Sequence, residues 1–222
     1  MSIIMYYDLE TTGLQPLVNG IHQIAGIIEI DGNVKEEFNI NMRPSEFHII
    51  EPEALATSNL TLDDIMNNPY SQEEGFSEFA RILSKYVNPY VKATEKDRIF
   101  RVGYNSASFD NNFLQQFFKN NNQDRSFFSF FYTDSPDVMV LCSDRFIDER
   151  RSFDNFKLST LARRFGLPVN ESRLHEALYD VELTRMVYKC LKGKQIDLFD
   201  NALMSYVDSK IDSYQDEWHI IY

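Results

Sequence analysis

The sequence predicts an α/β domain: a mixed sheet that opens with a three-stranded antiparallel meander, continues with parallel strands, and is flanked by helices. Three observations carry this. Apolar, β-rich runs at Ile3–Asp8 and His22–Ile30 are followed by an alternating run at Lys35–Met42, with Asp31-Gly32 or Gly32-Asn33 placed as a hairpin turn. From Ser71 onward a helical period takes over, with Phe76, Phe79, Ile82, Leu83 and Tyr86 on one side of a helix that extends to about Val87. The order of strands, helix, strand, helix, then strand and helix is that of a layered sheet covered by helices.

The remaining elements follow in order. Leu14–Gly20 and most of Pro44–Pro69 read as loop, with Thr61-Leu62-Asp63-Asp64 marking a helix start. Arg98–Tyr104 is a fourth strand. Ala107–Lys119 is a helix whose apolar face is Phe109, Phe113, Leu114, Phe117 and Phe118. Asn120–Tyr132 is Asn-rich, then aromatic. Asp137–Leu141 reads as a strand, with a helix as the alternative, and 143–155 as a charged loop. Lys157–Phe165 is a helix stopped by Gly166 and Pro168, Ala177–Lys192 a helix ended by Gly193, and Gln195–Tyr214 a final amphipathic helix before an acidic tail.

Composition narrows the function. The 222 residues suit one large domain or one domain with an extension, and 43% hydrophobic content provides a sizeable core. With 22 Lys and Arg against 34 Asp and Glu, the formal charge is −12. Non-specific nucleic-acid binding comes mainly from cations meeting phosphates, so a general coating role is excluded and any nucleic-acid chemistry must be local. Cys142 and Cys190 match no zinc spacing and read as reduced thiols of a cytoplasmic protein. No stretch approaches a membrane span, and the N-terminus has neither the basic nor the long apolar region of a signal peptide.

Four acids stand where apolar residues belong. Asp8 and Glu10 are two apart at the end of the first strand, so they face the same way and repel one another unless a cation lies between them. A metal ion is the simplest such cation; a strand ending in a polar turn is the plain alternative. Asp180 shares its helix stripe with Leu183, Val187 and Leu191, and Asp110 shares one with Leu114 and Phe117. A buried carboxylate needs a metal, a base or a proton. Capping of a helix start is the plain alternative, stronger for Asp110 than for Asp180. His175, five residues before Asp180, falls about 140° away around a helix. It therefore belongs on the loop leading into the helix, where its ordinary pKa suits a general base.

These residues resemble a known family. Asp8-Leu9-Glu10-Thr11-Thr12-Gly13-Leu14 is similar to the D-x-E-x-T-G motif, Gly103–Asp110 to the motif that commonly reads H-N-x-x-F-D after a strand, and His175–Asp180 to H-x-A-x-x-D. Leu158–Gly166 is similar to the helix that precedes the third motif. Three motifs in this order mark a resemblance, over residues 1–192, to the DnaQ-like (DEDDh) 3′–5′ exonucleases, which include the proofreading epsilon subunit of bacterial replicative DNA polymerase. Tyr104 departs from the usual His at a position that is not a metal ligand in the family.

The resemblance implies a ribonuclease H-like fold and a two-metal phosphodiesterase that releases 5′-mononucleotides from single-stranded DNA 3′ ends, in proofreading or end trimming. It implies two Mg²⁺ (or Mn²⁺) held by Asp8, Glu10, Asp110 and Asp180, with His175 as base. It places the terminal nucleotide over Thr11, Thr12, Gly13 and Leu14, with Asn105 and Phe109 as sugar and base contacts; a turn or packing role is the alternative for each. Two other functions are weighed: an RNA 3′–5′ exonuclease, RNase T-like or oligoribonuclease-like, and a non-catalytic nucleic-acid-binding module. The five intact catalytic positions count against the last.

Two further signals stand apart from the motifs. Phe127, Phe128, Phe130, Phe131 and Tyr132 fit base stacking or, as the favoured reading, a packed insertion. Arg145, Arg150, Arg151, Lys157, Arg163, Arg164 and Arg173 gather positive charge before the third motif. Residues 193–222 form an extension in which Gln195, Ile196, Leu198 and Phe199 are similar to a short peptide that binds the bacterial sliding clamp. Docking of a C-terminal helix on the domain explains the same residues.

Overall fold

The computed structural model describes residues 2–58, 60–91 and 97–193; the 195–214 helix and the clamp-like peptide lie outside them. Strands β1 (Ile3–Thr11), β2 (Ile21–Ile30) and β3 (Asn33–Asn41) form the expected antiparallel meander. Strand β4 (Ile99–Val102) pairs with β1 in parallel, Ile3 opposite Ile99, and the sheet order is β3-β2-β1-β4.

The period of two along β1 sends alternate residues to two separate cores. Ile3, Met5, Tyr7 and Leu9 join one core with β3, Phe76 and Phe79 of α3 (Gln72–Ser84), and Phe113 and Phe118 of the later helix α4 (Asp110–Asn120). Ile4 and Tyr6 face the other, formed with α6 (Val138–Arg145), α7 (Leu158–Arg164) and α8 (Ala177–Leu191). Asp8 and Glu10 continue the row of Ile4 and Tyr6, on the face that α8 covers. A buried ion pair fixes α8 there: Arg185 Nε stands 2.8 Å from Glu29 Oε2 on β2, with Lys189 Nζ 3.4 Å from the same oxygen. A break of register between Glu10 and Thr11 ends the regular pairing where the acids sit, as bulges beside functional sites commonly do.

Several expected elements shift. The stretch 44–69 holds two short helices, α1 (Pro52–Thr57), with proline at its start, and α2 (Leu62–Met66). Thr61 caps α2 through a reciprocal bond with Asp64, and Ser71 caps α3 with Glu74 in the same way, as S/T-x-x-E patterns dictate. The aromatic run begins in α5 (Asp124–Phe130), and Phe131, with extended backbone, and Tyr132 follow it. Phe127, Phe130 and Phe131 enter the core around Phe118, and the buried Arg101 guanidinium lies 4.7 Å from the Phe127 ring centre.

The strand expected at 137–141 is instead the first part of α6. Its Val and Leu content suits a strand, but the Asp137 carboxylate accepts from the amides of Met139 and Val140 and so caps a helix. Beyond β4, parallel pairing persists among the described residues as isolated bridges, Ile99 with Phe131 and Gly103 with Asp137.

Candidate active site

The four acids predicted from sequence come from three elements and share one electrostatic field. Asp8 and Glu10 lie on β1, Asp110 is the first residue of α4, and Asp180 lies in the first turn of α8. Burial is the largest influence on each, and it pushes every one above the ordinary carboxylate range. Asp8 is pushed well above its ordinary value by its burial, and the charges of Asp110, Glu10 and Asp180 add to the rise. Asp110 is pushed up to about 7 and Asp180 to about 6. Backbone hydrogen bonding at Leu9 offsets part of the rise for both Asp8 and Asp110.

Individual partners hold these groups in place. Ser58 Oγ, at the end of α1, donates to Glu10 Oε2 at 2.8 Å. Asp180 Oδ2 accepts from the His175 amide at 3.2 Å, while its buried Oδ1 has no partner among the described residues. His175 lies on the loop before α8, as expected, with its side chain exposed and φ at 73°. It stands close enough to Glu10 and Asp180 to stabilise the charge on both.

Asp137 is a participant that the motifs did not flag. Buried at 5% exposure, it accepts from the amides of Asn105 (3.1 Å) and Ala107 (2.9 Å) as well as from α6. It thereby fixes the turn that delivers Asp110, in which Asn105 has φ of 56°. The turn delays the helix expected at Ala107, so that α4 begins at Asp110. The available signal was an Asp directly before an apolar helix-capable run.

The predicted substrate contacts divide. Leu14 is 74% exposed and available to a base. Thr12 is wholly committed within the protein: its amide donates to Gly20 O, and its hydroxyl donates to Ile49 O and accepts from the Gly20 amide. Thr11 Oγ1 donates to Gly13 O. Gly13 is buried where a Cβ would come within 2.5 Å of the Asn19 and Glu51 side chains, so a side chain there would have to displace them. The Asn105 Oδ1 accepts from Ser108, and Phe109 packs on Phe113 with ring centres 4.9 Å apart.

The acids have the chemistry of a hard-cation site: four carboxylates, raised by burial and mutual repulsion, with an unpartnered buried oxygen on Asp180. Among the described residues no group of three or more His, Cys, Asp or Glu side chains is placed to hold a metal ion. The residue types and the orphaned oxygen fit a divalent ion.

A mixed sheet that delivers paired carboxylates at a strand end and two more from helix starts defines a nuclease of the ribonuclease H-like class. The exonuclease family model matches residues 5–188, and the chain belongs to that DnaQ-like 3′–5′ exonuclease family. It is 26% identical to ribonuclease T of Shewanella denitrificans, over 93% of this chain and 90% of that protein. It is 26% identical to the PolC-type DNA polymerase III of Pediococcus pentosaceus, over 85% of this chain but 11% of that protein. In fold it is similar to E. coli exonuclease I in complex with a dT13 oligonucleotide, with a TM-score of 0.69 and 22% identity. The match covers 90% of this chain and 43% of exonuclease I, so the chain spans less than half of that structure. A zinc-bound form of the exonuclease I complex with single-stranded DNA matches with the same score.

Proposed function

We propose that this enzyme shortens single-stranded DNA from its 3′ end, releasing 5′-mononucleotides in proofreading or end trimming. The observation that carries the reading is the convergence of Asp8, Glu10, Asp110 and Asp180 beside an exposed His175. The four carboxylates would hold two Mg²⁺ or Mn²⁺. Bound divalent ions would stabilise the negative charge that develops on the attacking and leaving oxygens of an in-line displacement.

The chain's own residues supply the rest. His175 takes the proton from the attacking water at an imidazole nitrogen and returns it to solvent through its exposed face. Ser58 holds Glu10 in one orientation, and the His175 amide does the same for Asp180. Leu14 offers an apolar surface to the terminal base, and the Gly13 turn brings the backbone beneath it.

RNA is the second reading, favoured by the likeness to a ribonuclease T along nearly the whole chain. Incubating a 5′-labelled strand, as DNA and as RNA, with Mg²⁺, Mn²⁺ or EDTA tests both. Metal-dependent shortening of DNA supports the first and preferential shortening of RNA the second. If neither strand is degraded, the enzymatic reading fails.

We take residues 1–192 as the catalytic domain of a cytoplasmic enzyme, consistent with the two free cysteines. Among the described residues no helix is long and apolar enough to cross a membrane. For the extension, clamp binding through Gln195, Ile196, Leu198 and Phe199 is tested by pull-down. Capture unchanged by Leu198→Ala with Phe199→Ala ends that idea.

A further inference from the structure

A pocket of about 270 Å³ opens between the loop after β3, the start of α3 and the end of α4. It is lined by Phe47 and His48 of the loop, by Gln72 and Glu73 of α3, and by Asn120 and Asn121. Small-ligand sites run from roughly 300 Å³ upward, so the space suits one flat group.

His48 is the informative residue. It is 8% exposed, and its Nδ1 accepts from the Ser45 amide at 3.1 Å. The ring proton of the neutral imidazole therefore sits on Nε2, and burial holds the ring neutral by lowering its pKa. That buried Nε2–H has no partner among the described residues. A buried donor without an acceptor is costly, and such groups call for a ligand or water. The ring also packs directly on the Gly20 backbone, where an added Cβ would meet it at 2.3 Å.

The neighbouring groups complete a pattern of donors and acceptors. Gln72 Nε2 donates to Ile21 O and Arg43 O, which turns its amide oxygen into the available acceptor. Asn121 Nδ2 donates to Phe117 O, with the same result for its oxygen. Phe47 is 65% exposed, with its ring centre 4.3 Å from that of His48. The lining contains no Lys or Arg and includes the acid Glu73, which disfavours a phosphate. One donor, on His48, and two acceptors, on Gln72 and Asn121, beside an exposed aromatic ring match the edge and face of a nucleobase.

The position ties this pocket to the active site. Helix α4 starts at Asp110 and ends beside the pocket at Asn120, ten residues or about 15 Å away. The loop that carries Phe47 and His48 is also joined to the first motif: Ile49 N donates to Val18 O at 2.8 Å, Glu51 N to Thr12 O at 2.7 Å, and Thr12 Oγ1 to Ile49 O at 2.7 Å.

We propose that this pocket, built on Phe47 and His48, receives a nucleobase of the substrate strand upstream of the terminal nucleotide. The inference rests on the reading of the protein as a nuclease of single strands. It predicts that occupancy of the pocket aligns the strand over the first-motif turn.

The test uses the full chain. Binding of labelled oligodeoxynucleotides of increasing length is measured in EDTA, and turnover of a dinucleotide too short to reach the pocket is measured with Mg²⁺. Wild type is compared with Phe47→Ala and with His48→Phe, which keeps a ring and removes the unpaired donor. Both variants should lose at least about 5-fold in affinity for long strands, Phe47→Ala from lost stacking and His48→Phe from the lost Nε2–H donor, while turning over the dinucleotide at the wild-type rate. His48→Phe also takes the acceptor from the Ser45 amide, so its melt is read beside that of Phe47→Ala, which leaves that bond intact.

Unchanged long-strand affinity in both variants, or an equal loss on the dinucleotide, overturns the inference. Displacement of the long strand by free deoxynucleoside as effective as by oligonucleotide assigns the pocket to a separate ligand and also overturns it. A wild type that binds long strands through this pocket but shortens no substrate would instead sink the nuclease reading.

Discussion

The His175 amide donates to Asp180 Oδ2 at 3.2 Å, and His175 adopts a φ of 73°. This backbone is uncommon for a residue with a side chain and costs about 1–2 kcal/mol. It joins the proposed base and one of the proposed metal-binding carboxylates into a single unit at the start of α8. His175→Ala should lower the rate by about 10²–10⁴-fold with little change in substrate affinity, measured by single-turnover kinetics and EDTA binding. His175→Gly should be as slow yet more stable than His175→Ala by about 1 kcal/mol, because glycine adopts that φ freely. Equal stability would remove the strain from the account, and an unchanged rate would remove His175 as the base.

The raised carboxyls make metal-free stability depend on pH. In the folded protein Asp110 and Asp180 bind protons up to about pH 7 and about pH 6, whereas an unfolded Asp releases them near 4. The folded state therefore binds more protons between these limits, and stability falls as pH rises from about 4 to about 7. Melting curves in EDTA should show this fall, and Asp110→Asn should reduce it. Added Mg²⁺ should raise the melting temperature more at pH 8 than at pH 5, since ionised oxygens hold it. An equal shift at both values would contradict the assignment.

Asp137 offers a test of positioning. Asp137→Ala strips acceptors from four backbone amides and should cost roughly 2–5 kcal/mol in chemical denaturation. Because the turn at 105–107 leads to Asp110, kcat should fall while KM changes little, and Asp137→Asn should recover part of both losses. A variant with the stability loss but normal kcat would confine Asp137 to folding.

Much of this architecture is legible from local pattern. Alternation and the Asp31-Gly32 turn mark the meander, and Ser71 with Glu74 marks the start of α3. Asp8, Glu10, Asp110 and Asp180 can be read because a charge on an apolar stripe violates the pattern around it. What escapes is set by long-range partners. Residues 137–141 have strand-like composition and become a helix because one carboxylate caps it and also holds a turn 30 residues earlier. Thr12 looks like part of a substrate loop until its amide and hydroxyl are seen bonded to Gly20 and Ile49. The His48 pocket joins three segments remote in sequence, and no periodicity announces it.

Charge removal separates function from folding. Mutual repulsion raises the cost of the clustered acids, so neutralising one of them should not harm the metal-free fold. Asp180→Asn should melt in EDTA at or above the wild-type temperature while losing nuclease activity. A variant that loses activity only because it unfolds would contradict the electrostatic account.

The central claim is that the carboxylates of β1, α4 and α8 form one metal-dependent 3′ exonuclease site. The most direct measurement follows a 5′-labelled single strand with wild type and Asp8→Asn, each with Mg²⁺ and with EDTA. The account predicts progressive shortening from the 3′ end by wild type with Mg²⁺ alone, and none by Asp8→Asn in either condition despite an intact melt. Shortening by Asp8→Asn at the wild-type rate, or by wild type in EDTA, would contradict it.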